Sequence, residues 1–273
     1  MPPELVDFMI ILLNSSKTMV SAPARGARQR PVLFEDASAL ASLLKTMDAD
    51  GLRKLMHLSP KLAGETHALV QAWSETGKQT MAIDAFQGDI YRGLQAGTLD
   101  DADRDYANQH VRILSGLYGV LRPFDLIQPY RLELMYGLSG AGFRNLYEFW
   151  GDKVAATLPK RGPIFDLASE EYSRLVRPFV TEHRIVEPEF LTRMTAEAEP
   201  TFVAVHAKVA RGTLARWMVT HRVQTETDLA LFDGMDYQFD RERSAPSKPV
   251  FVRVGPWSAM TAKKSSGSAI DPE

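Results

Sequence analysis

The chain has 273 residues, 45% of them hydrophobic, enough to bury a sizeable core as one large domain or two small ones, which excludes disorder of the whole. Its 32 basic and 34 acidic residues leave a net charge of -2, so no global field draws it onto nucleic acid or an anionic membrane, and any anion site must be local. The absence of cysteine excludes disulfides, thiolate nucleophiles, iron–sulfur clusters and cysteine-based zinc sites together, and a reducing cytoplasmic setting fits.

Phe8-Met9-Ile10-Ile11-Leu12-Leu13 is a continuous apolar run ending in Asn14-Ser15-Ser16, the pattern of a strand buried on both faces and followed by a turn. It is far short of the roughly 20 apolar residues that span a bilayer. Acidic Glu4 and Asp7 precede it where a secretory signal would be basic, so neither a membrane partner nor a targeting segment is expected. Residues 21–31, with Pro23, Gly26, Pro31 and three arginines, predict a mobile basic loop, and residues 35–57 carry apolar side chains at helical spacing. Ser59-Pro60 opens another helix, Ser as cap and Pro at the first helical position.

Further along, residues 80–86 predict a short strand and residues 101–114 a helix that stops at Gly116. Pro163-Ile-Phe-Asp-Leu-Ala168 reads as a second buried strand, with Ser169 capping a short helix whose first turn holds Glu170 and Glu171. Residues 201–205 predict a strand and residues 208–222 a helix. Strands and helices mix without a strict βαβ repeat, so the expected class is α/β in the mixed α+β sense, a mixed sheet surrounded by helices. The domain is expected over residues 1–257, and residues 258–273, rich in Ser, Lys, Gly and Asp, as a disordered tail.

The densest chemistry lies within residues 112–133. Gly116 and Gly119, three apart after the predicted helix, allow a tight turn whose N–H groups face an anion, with Arg112, Arg122 and Arg131 as forks for phosphate or carboxylate. The alternative is a plain turn whose arginines pair with Asp125 and Glu133. In the predicted helix over 208–222, Lys208, Arg211 and Arg222 fall within roughly one sixth of the circumference, opposite Ala210, Leu214 and Trp217. No acidic residue lies between Val203 and Val223, which favours an anionic partner on that face, although cations near a helix C-terminus also suit the dipole of a solvated surface.

Lys17 follows the first buried strand, and strand ends are where open α/β sheets place ligands. A lysine there binds phosphate or, if desolvated, acts as base or nucleophile; a salt-bridged lysine is the alternative. The glycines of a P-loop are missing. Gly88-Asp89-Ile90-Tyr91-Arg92-Gly93 adds an acid, a phenol and an arginine. His57, His67, His110, His183, His206 and His221 show no metal-binding spacing, so no metal site and no cofactor are expected.

Seven collinear motifs resemble the YaaA family of peroxide stress proteins. They are Ser16-Lys17-Thr18-Met19, Ser59-Pro60-Lys61-Leu62-Ala63, the 86–94 segment, the 114–133 segment, Leu146-Tyr147-Glu148-Phe149-Trp150-Gly151, Leu167-Ala168-Ser169-Glu170-Glu171-Tyr172, and Ala207-Lys208-Val209-Ala210-Arg211-Gly212. The resemblance implies a mixed α/β bacterial cytosolic protein that limits free intracellular iron and binds double-stranded DNA in a basic cleft, with a helix-hairpin-helix-like element. That element would be the helix ending at Leu114 with Gly116 and Gly119, and the cleft would gather Lys17, Lys61, Arg112, Arg122, Arg131, Lys208 and Arg211. Where the family reads Ser-Pro-Ala-Lys-Thr-Leu, this chain has Asn14-Ser15-Ser16-Lys17-Thr18-Met19, which loosens the loop and adds hydrogen-bonding groups beside the lysine.

Two functions are thus weighed, the family reading first and an enzyme as its alternative. The first is a monomeric stress protein whose cleft contacts DNA phosphates without reading bases. The second is a divergent enzyme acting on a small anionic metabolite or nucleotide, with Lys17 as base or nucleophile, Tyr130 as proton donor, Asp89 beside them, and Arg122 and Arg131 as clamp.

Overall fold

The computed structural model describes residues 8–22, 28–180 and 184–255. The tail expected over 258–273 and the centre of the basic loop, 23–27, lie outside the described residues.

The first apolar run forms β1 (Ile10–Asn14), of which Ile10 to Leu13 are essentially inaccessible. Two helices follow, α1 (Phe34–Lys45) and α2 (Ala49–Met56), the second capped by Asp48, which accepts from Gly51 N at 2.7 Å. In α3 (Pro60–Ala72) the expected start is found: Ser59 Oγ accepts from Leu62 N and Pro60 opens the helix. The strand expected over 80–86 is shorter. Only Thr80–Met81 forms a strand, β2, because Ala82-Ile83-Asp84-Ala85 coils into α4 (Ala82–Ala85), leaving Phe86 as an isolated bridge to Met19. Next come α5 (Asp89–Leu94) and α6 (Asp101–His110).

The helix predicted to run to 114 ends at His110. Val111, Ile113 and Leu114, β-branched or apolar, instead form β3 (Val111–Ser115), which docks alongside β1. A turn through Gly116 then leads into β4 (Gly119–Leu121), antiparallel to β3. The segment expected to resemble a helix-hairpin-helix is therefore a helix followed by a two-stranded hairpin. Both glycines are required by packing: a Cβ on Gly116 would sit 2.3 Å from Leu132 O, and Gly119 has φ +66 with the Trp150 ring 2.9 Å from its Cβ position.

The short β5 (Leu126–Ile127), α7 (Leu146–Trp150) and α8 (Lys153–Ala156) lead to β6 (Pro163–Asp166), the second buried strand. It is followed by α9 (Glu170–Ser173), where Ser169 caps through its backbone oxygen rather than its side chain. The rest comprises β7 (Arg184–Val186), β8 (Glu189–Arg193), β9 (Thr201–Phe202), α10 (Ala204–Thr220), β10 (Tyr237–Phe239) and β11 (Val250–Val254). The strand expected over 201–205 is two residues long, and the helix begins at Ala204.

The main sheet has the order β4-β3-β1-β6-β7, parallel except for β4; the second, β10-β11-β8-β9, is mixed. This is the mixed α/β class. No helix among the described residues is long and apolar enough to cross a membrane. The chain leaves β1 toward β3 on one side and leaves β6 toward β7 on the other. The loops at the carboxyl ends of these neighbouring strands therefore diverge and open a crevice, the position where open α/β sheets take ligands.

Candidate functional site

A cleft of about 540 Å³ occupies that crevice. Residues 14–17 after β1 and 169–172 after β6 form its floor, Gln87 to Tyr91 at the start of α5 one side, and Glu133 with Lys208 and Arg211 of α10 the remainder. The walls are set by an unusually close contact between α5 and α10: a Cβ on Gly212 would lie 1.8 Å from Ile90 O, and one on Gly93 would lie 2.1 Å from Val209 O. Only glycine at both positions lets the two backbones meet. The β1 loop is pinned rather than loosened, with Gln87 N donating to Thr18 O, Thr18 N to Ser16 Oγ, and Ser169 N to Asn14 Oδ1.

Of the predicted site residues, Lys17, Asp89, Lys208 and Arg211 converge on this cleft. Lys17 Nζ lies 4.0 Å from Glu133 Oε2, an ion pair too long for a hydrogen bond, and Asp89 pairs with Arg92 at 2.8 Å. Arg211 donates to Ala168 O at 3.1 Å. It has no carboxylate partner within ion-pair distance among the described residues, and its Nε is buried with no hydrogen bond. Burial holds its pKa below the usual guanidinium range, against the opposing pull of Asp166. Lys208, one turn away on the same face and exposed, is likewise without an ion pair among the described residues.

The other expected residues lie elsewhere. Arg112 is the second residue of β3, paired with Leu12 two residues short of the cleft level, and its guanidinium donates to the backbone oxygens of Asn108, Gln109 and Val111. Burial pushes its pKa down to about 10, assisted by nearby Arg122. Arg122 grips the fully buried Asp125 through Nε and Nη2, at 3.1 and 2.8 Å, so these two arginines serve the fold. Gly116 and Gly119 are buried in the hairpin turn, and Gly116 O accepts from Trp150 Nε1 at 3.1 Å. Lys61 is exposed on α3 and does not line the cleft. Arg131 borders a narrow gap with Leu69, Val70 and Trp73.

Tyr130 is buried and does not line the cleft, so it cannot hand a proton to a ligand directly. It belongs instead to a chain of hydroxyls beneath the floor. Tyr118 N donates to Ser115 Oγ at 3.0 Å, Ser115 Oγ and Tyr130 Oη are 2.7 Å apart, and Ser15 Oγ donates to Tyr172 Oη at 3.3 Å. Ser15 also acts on Tyr130, and Tyr172 on Glu133, each favouring the ionised form of its neighbour. Burial keeps both phenols protonated, well above their ordinary pKa.

Glu133 is the group that sequence reasoning treated only as a counterion for arginine. Burial raises its pKa above the ordinary carboxylate value, with Glu171 adding to the shift, while Lys17 and the Tyr172 hydrogen bond oppose it. Glu170 and Glu171, seen in sequence only as a helix first turn, complete the acidic side. The α9 loop that carries them is fastened by Asp166, which accepts from Ser173 Oγ, Ala168 N and Arg177 Nε; Arg177 reaches on to Glu170 and Glu187. Three cations and four carboxylates line the cleft, so it is of mixed charge rather than basic.

Residues 9–243 match the family described as peroxide stress protein YaaA, and the chain belongs to that family. It is 49% identical over 246 residues to a UPF0246 protein of Salinispora tropica, covering 89% of this chain and 94% of the relative. UPF0246 proteins of Bordetella petrii and of a Ruegeria species are 44% and 38% identical, covering 90% of this chain and 99% and 100% of theirs.

Proposed function

We propose that this member of the peroxide stress protein YaaA family is an enzyme acting on a small anionic metabolite or nucleotide held in the cleft at the carboxyl ends of β1 and β6. The supporting observation is Arg211: a partly buried guanidinium on the cleft wall with no carboxylate within ion-pair distance among the described residues, one turn from Lys208. A partly buried cation of this kind gains most from an anion that reaches it. With the anionic group there, the rest of the ligand extends toward Lys17 and Glu133. Glu133, its proton affinity raised by burial, is the proton-transferring group, and Lys17 supports the charge that develops beside it or attacks as nucleophile. Tyr130 stays behind the floor of the cleft, while Tyr172 opposes the burial that raises the proton affinity of Glu133.

Calorimetric titration of the full chain with inorganic phosphate and with a nucleoside monophosphate tests this. Binding that Arg211→Gln removes and Arg112→Gln leaves intact is expected; equal loss in both variants would overturn the placement.

DNA binding with iron limitation in the cytoplasm is the second reading, favoured by the exposure of Lys17 and Lys208 at the cleft mouth. Here Lys17, Lys208 and Arg211 contact at most three phosphates, so log K against log salt falls with a slope of about -2.7 or shallower. A steeper slope would place DNA on another face. Cells lacking the protein would hold more chelatable iron, and an unchanged pool would remove that part of the reading.

A further inference from the structure

Resting on the small-ligand reading, we infer that the ligand of this cleft carries a cationic nitrogen as well as its anionic group, making it a zwitterionic or aminated organic acid or phosphate. The argument is the division of charge inside the cleft once internal pairs are set aside. Two of the four carboxylates have partners outside it, Asp89 in Arg92 at 2.8 Å and Glu170 in Arg177 at 3.2 Å. Glu133 and Glu171 remain. They repel each other, since Glu171 adds to the proton affinity of Glu133. Lys17 meets Glu133 only at 4.0 Å, and Glu171 has no ion pair among the described residues, its Oε1 accepting instead from Met135 N at 3.1 Å.

The cleft thus presents two unlike sets of groups. Lys208 and Arg211 on α10 seek an anion. Glu133 and Glu171 form a second set, the first with one loosely placed lysine and the second with no ion pair among the described residues, and Ser16 and Tyr172 line the cleft beside them. A simple anion would satisfy the first set and face like charge at the second. A ligand ammonium between Glu133 and Glu171 neutralises that repulsion and makes charge-assisted hydrogen bonds to both. The volume of about 540 Å³ holds a small metabolite with room for both groups.

The test compares near-isosteric probes that differ in the amine: 2-aminoethyl phosphate against propyl phosphate, and β-alanine against butyrate, each titrated into the full chain in EDTA. The aminated member of each pair is expected to bind about tenfold tighter or more, the effect of one charge-assisted hydrogen bond. Glu171→Gln, whose amide oxygen can still accept from Met135 N, should erase that difference while leaving propyl phosphate affinity unchanged or improved. Arg211→Gln should weaken both phosphates together. Equal affinity within each pair, or an amine preference that survives in both Glu171→Gln and Glu133→Gln, overturns the inference and leaves the anion site standing. A gain that appears only when magnesium replaces EDTA, and for both phosphates alike, overturns it in favour of a metal between the carboxylates. Failure of all four probes to bind removes the anion site and this inference with it.

Discussion

Gly212→Ala is the sharpest test of how the cleft is built. A methyl group there would sit 1.8 Å from Ile90 O, 2.7 Å from Ile90 C and 2.9 Å from Leu94 N, all backbone atoms that cannot rotate away. Ordinary contact begins at 3.4 Å, so α5 and α10 must part by about 1.6 Å where they now touch. Overpacking of this sort costs about 3 kcal/mol, at the upper end of the usual range because the obstruction is rigid. Alanine's better helix propensity returns about 1 kcal/mol. A net loss of about 2 kcal/mol lowers the melting temperature by roughly 4–8 °C for a chain of this size. Parting the helices also moves Lys208 and Arg211 away from Asp89, so phosphate affinity falls as well. Gly64→Ala is the control: it lies inside α3 with nothing within 4 Å of its Cβ position and should be neutral or mildly stabilising. Thermal unfolding followed by circular dichroism, with calorimetric titration of phosphate, reads both effects. A Gly212→Ala protein that melts within a degree of the parent would refute the packing argument. One that melts lower yet binds phosphate unchanged would separate the helix contact from the shape of the cleft.

Glu133→Gln changes the pH dependence of stability. The folded pKa of Glu133 is raised by burial and by Glu171, so its stabilising contribution is present below the ordinary value of 4.5 and is lost as pH rises through the folded pKa. The melting temperature of the parent should therefore drop relative to Glu133→Gln across that window, leaving the variant at least as stable at neutral pH; a parent that gains on the variant as pH rises would contradict this. His110, stacked between Phe8 and Tyr106, is shifted the other way, its pKa lowered by burial and by Arg112 and Arg222. Its contribution is present above 6.5 and is lost as pH falls through the lower folded value, so a His110→Gln series of melting temperatures should show a flatter acid limb than the parent. Arg104, 2% exposed, holds Asp84 through two hydrogen bonds at 2.9 and 2.7 Å, and Arg104→Met strands that carboxylate. A loss of about 3–5 kcal/mol in urea unfolding is expected, much of it recovered by adding Asp84→Asn.

What the sequence made legible was mostly local. The apolar runs that became β1 and β6 could be placed because they are continuous and bounded by turn residues, and the position of Lys17 past a strand end followed from the first of them. The sidedness of α10 was equally readable: Ala210 and Leu214 are fully buried while Lys208 and Arg211 face the cleft. Residues 101–114 misled because a helix passes into a strand at His110 with no proline or glycine to mark the change. Glu133 and Glu171 could not be singled out, since carboxylates at that separation in sequence carry no spacing signal and meet only through the fold. The burial of Tyr130 was hidden for the same reason.

The fate of the arginines shows how topology decides which cations share a site. Arg112 pairs in register with Leu12, whereas Leu114 pairs with Asn14, where the β1 loop begins to line the cleft. At about 3.3 Å per residue, Arg112 lies about 7 Å below that level. β4 then runs back antiparallel, with Leu121 opposite Ile113, so Arg122 is carried to the amino ends of the sheet as well and there meets Asp125. A hairpin that in sequence seems to bring Arg112 and Arg122 beside two glycines thus sends both away from the cleft. The cations of α10 reach it because Gly93 and Gly212 let that helix lie directly against α5, and α10 carries no carboxylate of its own to neutralise them. Local charge density therefore predicts a site only after the direction of the strand that carries it is known.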